Sequence, residues 1–229
     1  MDTKTHGLIY SSKSLTIWTY GLLDHDGNGY HTVKIDGRVW TVENLRVTHY
    51  NNGDPIPVVT DSVQWRDDHQ GAICWYDNNR AKYDSVYGVL YNFYAVMDPR
   101  GICPPGWHVP TYDEYSTMSG YLGGSQTNLV SGGKMKEKGF KHWNKPNTGA
   151  TNSSGWTGLP GGFRGGTRQH PNTFIFGNLG YEGNWWTSSK SPMPNSAYIT
   201  TLIYNDTYED IGASIEDNLG ASIRLIKNK

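Results

Sequence analysis

Glycine and aromatic residues recur so densely along this chain that long helices have little room. Its 229 residues include 28 Gly, 9 Trp and 16 Tyr. This mixture favours short strands, many turns and aromatic packing over a helical bundle. A chain of this length can bury a core without disulfides or metals. We therefore expect one compact domain over residues 24–229, preceded by an extended segment over residues 1–23.

The clearest strand signal is a hairpin pattern near the start of this domain. Residues 30–35 and 38–42 flank the pair Asp36-Gly37, which is typical of a two-residue β-hairpin turn. A less certain run covers residues 86–96, YGVLYNFYAV with its preceding valine. It is compatible with a short helix and equally with a strand.

One helix start is well defined by its capping residues. Thr111 and Glu114 form a capping box, in which each side chain accepts a hydrogen bond from a free backbone N–H at the start of the helix. Tyr115, Met118 and Leu122 then fall on one face, and the following glycines at 123 and 124 predict the helix end.

Charge and hydropathy exclude two classes of partner. The formal net charge is −1, and the basic cluster over residues 134–145 is mild, whereas binding of a nucleic acid needs a concentrated basic patch. No apolar run approaches the roughly 20 residues of a membrane helix. Residues 1–20 lack the basic and apolar regions of a signal peptide. We expect no membrane insertion, and either removal of an export signal or another route, such as assembly onto a virion.

Two motifs raise the question of a disulfide and of a metal. Cys74 and Cys103 are compatible with one disulfide or with two thiols, and the sequence leaves both alternatives open. The run DHDGNG from Asp24 matches the first half of a calcium loop, yet its twelfth position is Ile35 in place of a bidentate glutamate. A β-turn is favoured there. We expect neither a metal nor a cofactor.

Six motifs follow one another along residues 24–227. They are GYHTVKIDGRVWTVENL, AICWYDNN, YGVLYNFYAV, CPPGWHVPTYDE, SGWTGLPGGFRGG and NWWTSS. In order and spacing they resemble the Fibrobacter succinogenes major paralogous domain, which is similar in turn to the formylglycine-generating-enzyme group. The resemblance implies an α+β, C-type-lectin-like fold with two short helices, small antiparallel sheets and much irregular chain.

The chain departs from this resemblance near its last strand. Leu225 stands where the resemblance implies a cysteine, so a bridge from Cys103 to that position is absent, which suits a reducing compartment. The oxidases among the relatives use reactive cysteines near the C-terminal end, and none follows Cys103. Motifs of a serine hydrolase, a phosphate loop and a zinc protease are also absent. We expect no enzyme activity, and a hydrogen-bonded structural role for His108.

The segment AYITTLIYNDTYEDIGASIED, residues 197–217, reads as a strand without clear alternation of polarity. In strand geometry the even-numbered residues from 198 to 204 share one face, and the odd-numbered residues from 199 to 205 share the other. We predict that the second face is the freer one and continues into a turn. Tyrosine with small polar residues is typical of binding loops. The predicted ligand-binding residues are Tyr198, Ile199, Thr201, Ile203, Asn205, Asp206, Tyr208 and Asp210.

The composition of this segment leads to a sharper hypothesis. The resemblance extends to the variable proteins of diversity-generating retroelements, in which adenines of a C-terminal coding segment are mutated. Asn, Tyr, Asp, Ser, Thr and Ile are all reached from asparagine codons by changes at adenines, although an ordinary Ile/Thr-rich strand has the same composition. We expect a non-enzymatic recognition domain that binds a cell-surface protein or glycan, displayed on a phage tail or a bacterial surface. An oligomer is compatible with this role.

Two alternative functions remain open at this stage. The first is a secreted bacterial surface adhesin or structural protein without a defined small ligand. The second is an oxidase of the formylglycine-generating type. Substitutions in the predicted binding residues would leave cell adhesion intact in the first case, and turnover of a cysteine peptide would identify the second.

Overall fold

The protein is an α+β domain built from small antiparallel sheets and short helices. The computed structural model describes residues 7–11, 14–18, 20–125, 128–165 and 175–229. Its strands are β1 (Gly7–Ser11), β2 (Ser14–Trp18), β3 (Leu22–Leu23), β4 (Gly29–Tyr30), β5 (Thr32–Ile35), β6 (Arg38–Thr41), β7 (Ile73–Cys74), β8 (Leu90–Tyr91), β9 (Trp107–His108), β10 (Gly124–Ser125), β11 (Asn128–Leu129), β12 (Phe163–Gly165), β13 (Ile175–Gly177), β14 (Glu182–Lys190), β15 (Ser196–Ile203), β16 (Glu209–Glu216) and β17 (Ile226–Lys227). Its α-helices are α1 (Ser62–Asp67), α2 (Arg80–Tyr87), α3 (Phe93–Met97), α4 (Tyr112–Tyr121) and α5 (Ser131–Met135).

The described residues hold five short α-helices, so the expectation of two is wrong in number. The capping box is confirmed: Thr111 caps α4, and Glu114 N donates to Thr111 Oγ1 while Thr111 N donates to Glu114 Oε2. Asp61 caps α1 and Asn79 caps α2, each through a side-chain oxygen that accepts from a backbone N–H of the first turn. α1 and α2 span only six and eight residues, so their apolar periodicity is too short to recognise.

The predicted hairpin and the undecided run are both resolved by the structure. β5 pairs with β6 in the register Ile35↔Arg38, and Asp36 and Gly37 have φ values of 47° and 75°, as a type I′ turn requires. The run over residues 86–96 contains strand β8 and then helix α3, with Asn92 as the N-cap between them. Each of the two alternatives is therefore right for one part of the run.

A four-stranded sheet joins distant parts of the chain in the order β5-β6-β17-β9. Ile226 of β17 pairs with Trp40 on one side and with His108 on the other. Just before β17, the buried Arg224 donates from Nε to Asn44 Oδ1 at 2.6 Å and from Nη1 to Thr41 O at 3.0 Å. β17 thus completes the sheet that the β5-β6 hairpin begins.

A three-stranded sheet, β14-β15-β16, separates two hydrophobic cores. The first core contains Trp186 and Ile199, and the second contains Trp185 and Leu202. Each indole donates a hydrogen bond in its core, from Trp185 Nε1 to Asn44 Oδ1 and from Trp186 Nε1 to the Tyr91 carbonyl, both at 2.8 Å. Neighbouring tryptophans of one strand therefore anchor opposite faces of this sheet.

The cysteines and the loop at Asp24 have structural roles. Cys74 and Cys103 are free thiols, so the disulfide alternative is wrong. Cys103 packs against the first core, which includes Leu225, so apolar packing stands where the resemblance implies a bridge. Gly27 N donates to the Asp24 carbonyl at 3.1 Å, which closes the favoured β-turn, and Asp24 Oδ1 accepts from the backbone N–H groups of Asp26 and Asn28 at 3.0 and 2.8 Å.

The strands near the N-terminal end are paired with one another. β1 pairs with β2, and β3 pairs with β4 in the register Leu22↔Tyr30, so hydrogen bonds cross the expected boundary at residue 23.

Within the described ranges, none of the helices has the length and hydropathy to cross a membrane.

Candidate functional site

Strand β15 is the central strand of its sheet and is covered on both faces. Thr200 Oγ1 donates to Glu209 Oε1 at 2.7 Å on the side of the second core. On the other face Thr201 Oγ1 donates to Asn184 Oδ1 at 2.9 Å. A strand that is buried on both faces does not alternate between apolar and polar residues, which explains the ambiguous pattern of residues 197–203.

The prediction of a free second face is therefore wrong along most of the strand. Ile199 is only 4% exposed and packs in the first core, and Thr201 is only 7% exposed. Tyr198, on the opposite face, is half-buried, and its ring lies 5.2 Å from that of Tyr112 at the start of α4. These three predicted residues lie along the strand, away from the turn that follows it.

The remaining predicted residues come together at the turn between β15 and β16, residues 204–208. Asn205 is exposed, and Ile203, Asp206 and Tyr208 are half-buried. Asp210 is exposed on β16, where it pairs with Thr201 in the strand register. The sequence thus located the strand and the turn correctly, but the predicted exposure of Ile199 and Thr201 is wrong.

Two tyrosines that were not among the predicted residues extend this surface. Tyr181 is 46% exposed, and its ring meets that of Tyr204 edge to face, with centroids 5.0 Å apart. Tyr204 N also donates to the Tyr181 carbonyl at 2.8 Å. We call Tyr181, Tyr204, Asn205, Asp206 and Tyr208 the turn surface. No local signal marks Tyr181, because its partner lies in another strand connection.

A buried lysine holds the turn from beneath. The Nζ atom of Lys136 donates to the carbonyl oxygens of Thr148 at 2.9 Å, Ile203 at 2.9 Å and Asp206 at 2.6 Å. These bonds use all three donors of an ammonium group, and the side chain is fully buried. Burial lowers the pKa of Lys136 to about 8, against the opposing effect of Asp206. The turn is therefore fastened at both ends by one cation.

The other side of the turn is fastened to α5 and β11. Gly133 N donates to the Thr207 carbonyl at 2.8 Å, and Thr207 Oγ1 donates to the Leu129 carbonyl at 2.7 Å. Gly132 lies so close that a Cβ atom there would collide with the Tyr208 carbonyl. Glycine is required at this position by the approach of two backbones. The consequence is a turn with little freedom to rearrange.

A buried carboxyl group follows directly after the turn. Glu209 is 6% exposed and lies opposite Leu202 in the strand register. Burial raises the pKa of Glu209 to about 7, against the opposing hydrogen bond from Thr200. The two buried ionisable groups at the base of the turn surface, Lys136 and Glu209, thus have pKa values displaced towards neutrality.

Comparison with known proteins places this site in a family. The family model of the Fibrobacter succinogenes major domain matches residues 33–227. The chain belongs to this family. The turn surface, Lys136 and Glu209 all lie inside the matched Fibrobacter succinogenes major domain. No curated protein and no solved structure matches the chain.

The histidine next to α4 has the structural surroundings that the sequence suggested. His108 Nε2 lies 2.9 Å from Glu114 Oε2, and His108 Nδ1 lies 2.6 Å from Asn228 Oδ1. Arg38 Nη2 donates to the other oxygen of Glu114 at 2.9 Å. Hydrogen bonds with Thr111, His108 and Arg38 outweigh the effect of burial and lower the pKa of Glu114.

Proposed function

We propose that this chain is a non-enzymatic recognition domain that binds a protein or glycan on a cell surface through its turn surface. The observation that carries the proposal is the triple hydrogen bond from Lys136 to the backbone around the turn. A surface that is held in place before binding loses less entropy when it binds. Tyrosines supply rigid contact area, and Asn205 and Asp206 supply adaptable hydrogen bonds.

The state of the thiols supports binding over oxidase chemistry. Burial raises the pKa of Cys74 and of Cys103 to about 12, and the thiolate is the reactive form of cysteine. In the described part of the chain, no three His, Cys, Asp or Glu side chains are grouped as a metal site would require. The C-type-lectin-like arrangement implied by the resemblance belongs to the same proposal, as does display on a phage tail or bacterial surface.

The diversification hypothesis becomes more specific in the light of the burial pattern. A diversified segment needs surface positions that tolerate many side chains, and the turn offers the exposed Asn205 and the half-buried Asp206 and Tyr208. Ile199 and Thr201 lie in the interior, where most substitutions lower stability. Variation is therefore expected in the turn, with positions 199 and 201 unchanged.

The first experiment is deep sequencing of the coding DNA for residues 185–229 across many cells or virions of one population. The expected result is substitution at adenines of the turn codons, together with a near-copy of the segment close by in the genome. An invariant segment without such a copy would overturn the diversification hypothesis, and the domain would then be tested as an ordinary adhesin.

A binding experiment tests the surface itself. Fluorescently labelled domain is titrated onto candidate host cells, with Tyr204→Ala and Tyr208→Ala as the test variants. Tyr20→Ala is the matched control, because Tyr20 is 52% exposed and pairs with His31 in another part of the domain. Both test variants are expected to weaken binding at least tenfold while the control binds as the parent does. Equal binding by all three variants would refute the turn surface and favour the structural adhesin.

A further inference from the structure

We propose that a second site, remote from the turn surface, binds a neutral sugar. The site is a cleft of about 830 Å³ between the sheet β5-β6-β17-β9 and the N-terminal half of α4. Clefts of this size accommodate small organic ligands. The proposal uses none of the turn-surface residues and stands independently of the function proposed above.

The floor of the cleft is apolar and rigid. In the sheet register Ile226 pairs with Trp40 and with His108, and residues paired across strands lie on the same face. Met118 covers this row from α4, and Trp40, Met118 and Ile226 belong to the second core. The floor is therefore formed before any ligand arrives.

One wall of the cleft is held in place by an ion-pair network. Glu114 accepts from Arg38 Nη2 at 2.9 Å through one oxygen and is bonded to His108 Nε2 at 2.9 Å through the other. Both partners are thereby fixed in orientation. Within the part of the chain that the structure describes, Arg38 uses only Nη2, so Nε and Nη1 remain as donors for a ligand.

Two aspartates of the cleft offer hydrogen-bond acceptors to a ligand. Asp36 and Asp113 line the cleft and are exposed. No described residue donates a hydrogen bond to either carboxylate. At the floor, the Trp40 indole N–H has no acceptor among the described residues, and its side chain is only 1% exposed.

The charges that line the cleft nearly cancel. Asp36, Asp113 and Glu114 are opposed by Arg38 and Lys229, with His108 between them. A balanced lining does not attract a strongly charged ligand, yet it presents free donors, free acceptors and an apolar floor together. A sugar matches this set, because each hydroxyl both donates and accepts while the C–H groups of the ring pack on apolar side chains.

The test monitors the NMR signal of the Met118 methyl group in the 229-residue chain. Of the five methionines, Met118 lines the cleft, whereas Met193 is 61% exposed elsewhere. With ¹³C-methyl-methionine labelling, the probes glucose, galactose, mannose, N-acetylglucosamine, lactose and cellobiose are titrated separately. At least one is expected to shift the Met118 signal saturably, with a dissociation constant on the order of 0.1–10 mM, and to leave Met193 unchanged.

Matched variants locate the binding. Asp36→Asn and Asp113→Asn each replace a carboxylate acceptor, and a hydrogen bond to a charged group contributes enough to predict roughly tenfold weaker binding or more. Asparagine also tolerates the φ of 47° at position 36. Asp210→Asn removes an exposed carboxylate at the turn and is expected to leave sugar binding unchanged, as is Tyr208→Ala.

Two results would overturn the inference. If none of the six sugars shifts Met118, the cleft is not a sugar site. If a lysine-containing or arginine-containing peptide shifts Met118 while the neutral sugars do not, the cleft recognises a basic peptide instead. Retention of sugar binding by Tyr208→Ala, together with loss of cell binding by the same variant, separates this site from the turn surface.

Discussion

Replacement of Lys136 by methionine tests whether one buried cation holds the turn surface in place. Methionine retains the unbranched apolar stem, which lies near Trp143, whose ring centroid is 5.5 Å from Nζ. It removes the three hydrogen bonds to the carbonyls of Thr148, Ile203 and Asp206. Packing is thus largely conserved while the polar connection is lost.

The magnitude follows from the number of carbonyl groups that lose their donor. A buried polar group without a partner costs about 1–3 kcal/mol. The Ile203 carbonyl still accepts from Asp206 N at 3.3 Å, so the two carbonyls that lose their donor, those of Thr148 and Asp206, cost roughly 2–6 kcal/mol. The variant also no longer buries an ammonium group, whose desolvation opposes folding by several kcal/mol. We expect a net loss of about 2 kcal/mol in the free energy of unfolding.

Urea denaturation at pH 7 measures this loss, and native-state hydrogen exchange shows where it acts. The Thr148 amide, which donates to the Tyr204 carbonyl at 2.8 Å, is expected to lose protection in Lys136→Met. Lys138→Met is the control, because that side chain is exposed and its loss is expected to change stability by less than about 0.5 kcal/mol. A loss of stability below about 1 kcal/mol in Lys136→Met, with unchanged protection of the Thr148 amide, would refute the role of Lys136 in holding the turn.

Three further predictions concern buried polar groups. Burial raises the pKa of Glu209 from 4.5 to about 7, so its protonated form stabilises the fold below pH 4.5 and this contribution is lost as the pH rises through 7. At pH 8 the free energy of unfolding of Glu209→Gln is therefore expected to exceed that of the parent by up to about 3 kcal/mol. If the difference in stability between variant and parent stayed constant from pH 4 to pH 8, the reasoning would be contradicted. Thr201→Val leaves Asn184 Oδ1 without the Thr201 hydroxyl and should cost about 1–2 kcal/mol in urea denaturation, whereas Asn205→Ala should cost less than about 0.5. Cys74 and Cys103 should react with a disulfide reagent roughly 100-fold faster in urea than in buffer, and equal rates would show that the thiols are accessible.

The elements that could be predicted from the sequence obey local rules. Thr111 and Glu114 lie three residues apart, and Asp36 and Gly37 are adjacent, so the capping box and the hairpin turn are complete within one short window. The turn after β15 was also predictable, because Asn205 and Asp206 are typical turn residues. Each of these patterns has the same meaning whatever lies around it.

The features that could not be predicted depend on partners far along the chain. The carbonyls that Lys136 contacts are 12, 67 and 70 residues away, and its neighbours in KMKEK give no sign of burial. Likewise, a sequence shows which residues of a strand share a face but not how many layers cover it. Ile199 and Thr201 were therefore assigned to a surface, although a core and a polar contact enclose them.

Because β17 lies between β6 and β9, the four-stranded sheet can form only after β17 has been synthesised. Trp40 is synthesised long before its strand partner Ile226. Non-local pairing of this kind slows folding, because a long loop must close first. A stop codon before that of Arg224 would yield a chain in which the edge of β6 is unpaired. This chain would also lack the hydrogen bond between Arg224 and Asn44. Cellular proteolysis would then remove such truncated chains, and only chains translated through β17 would complete this sheet.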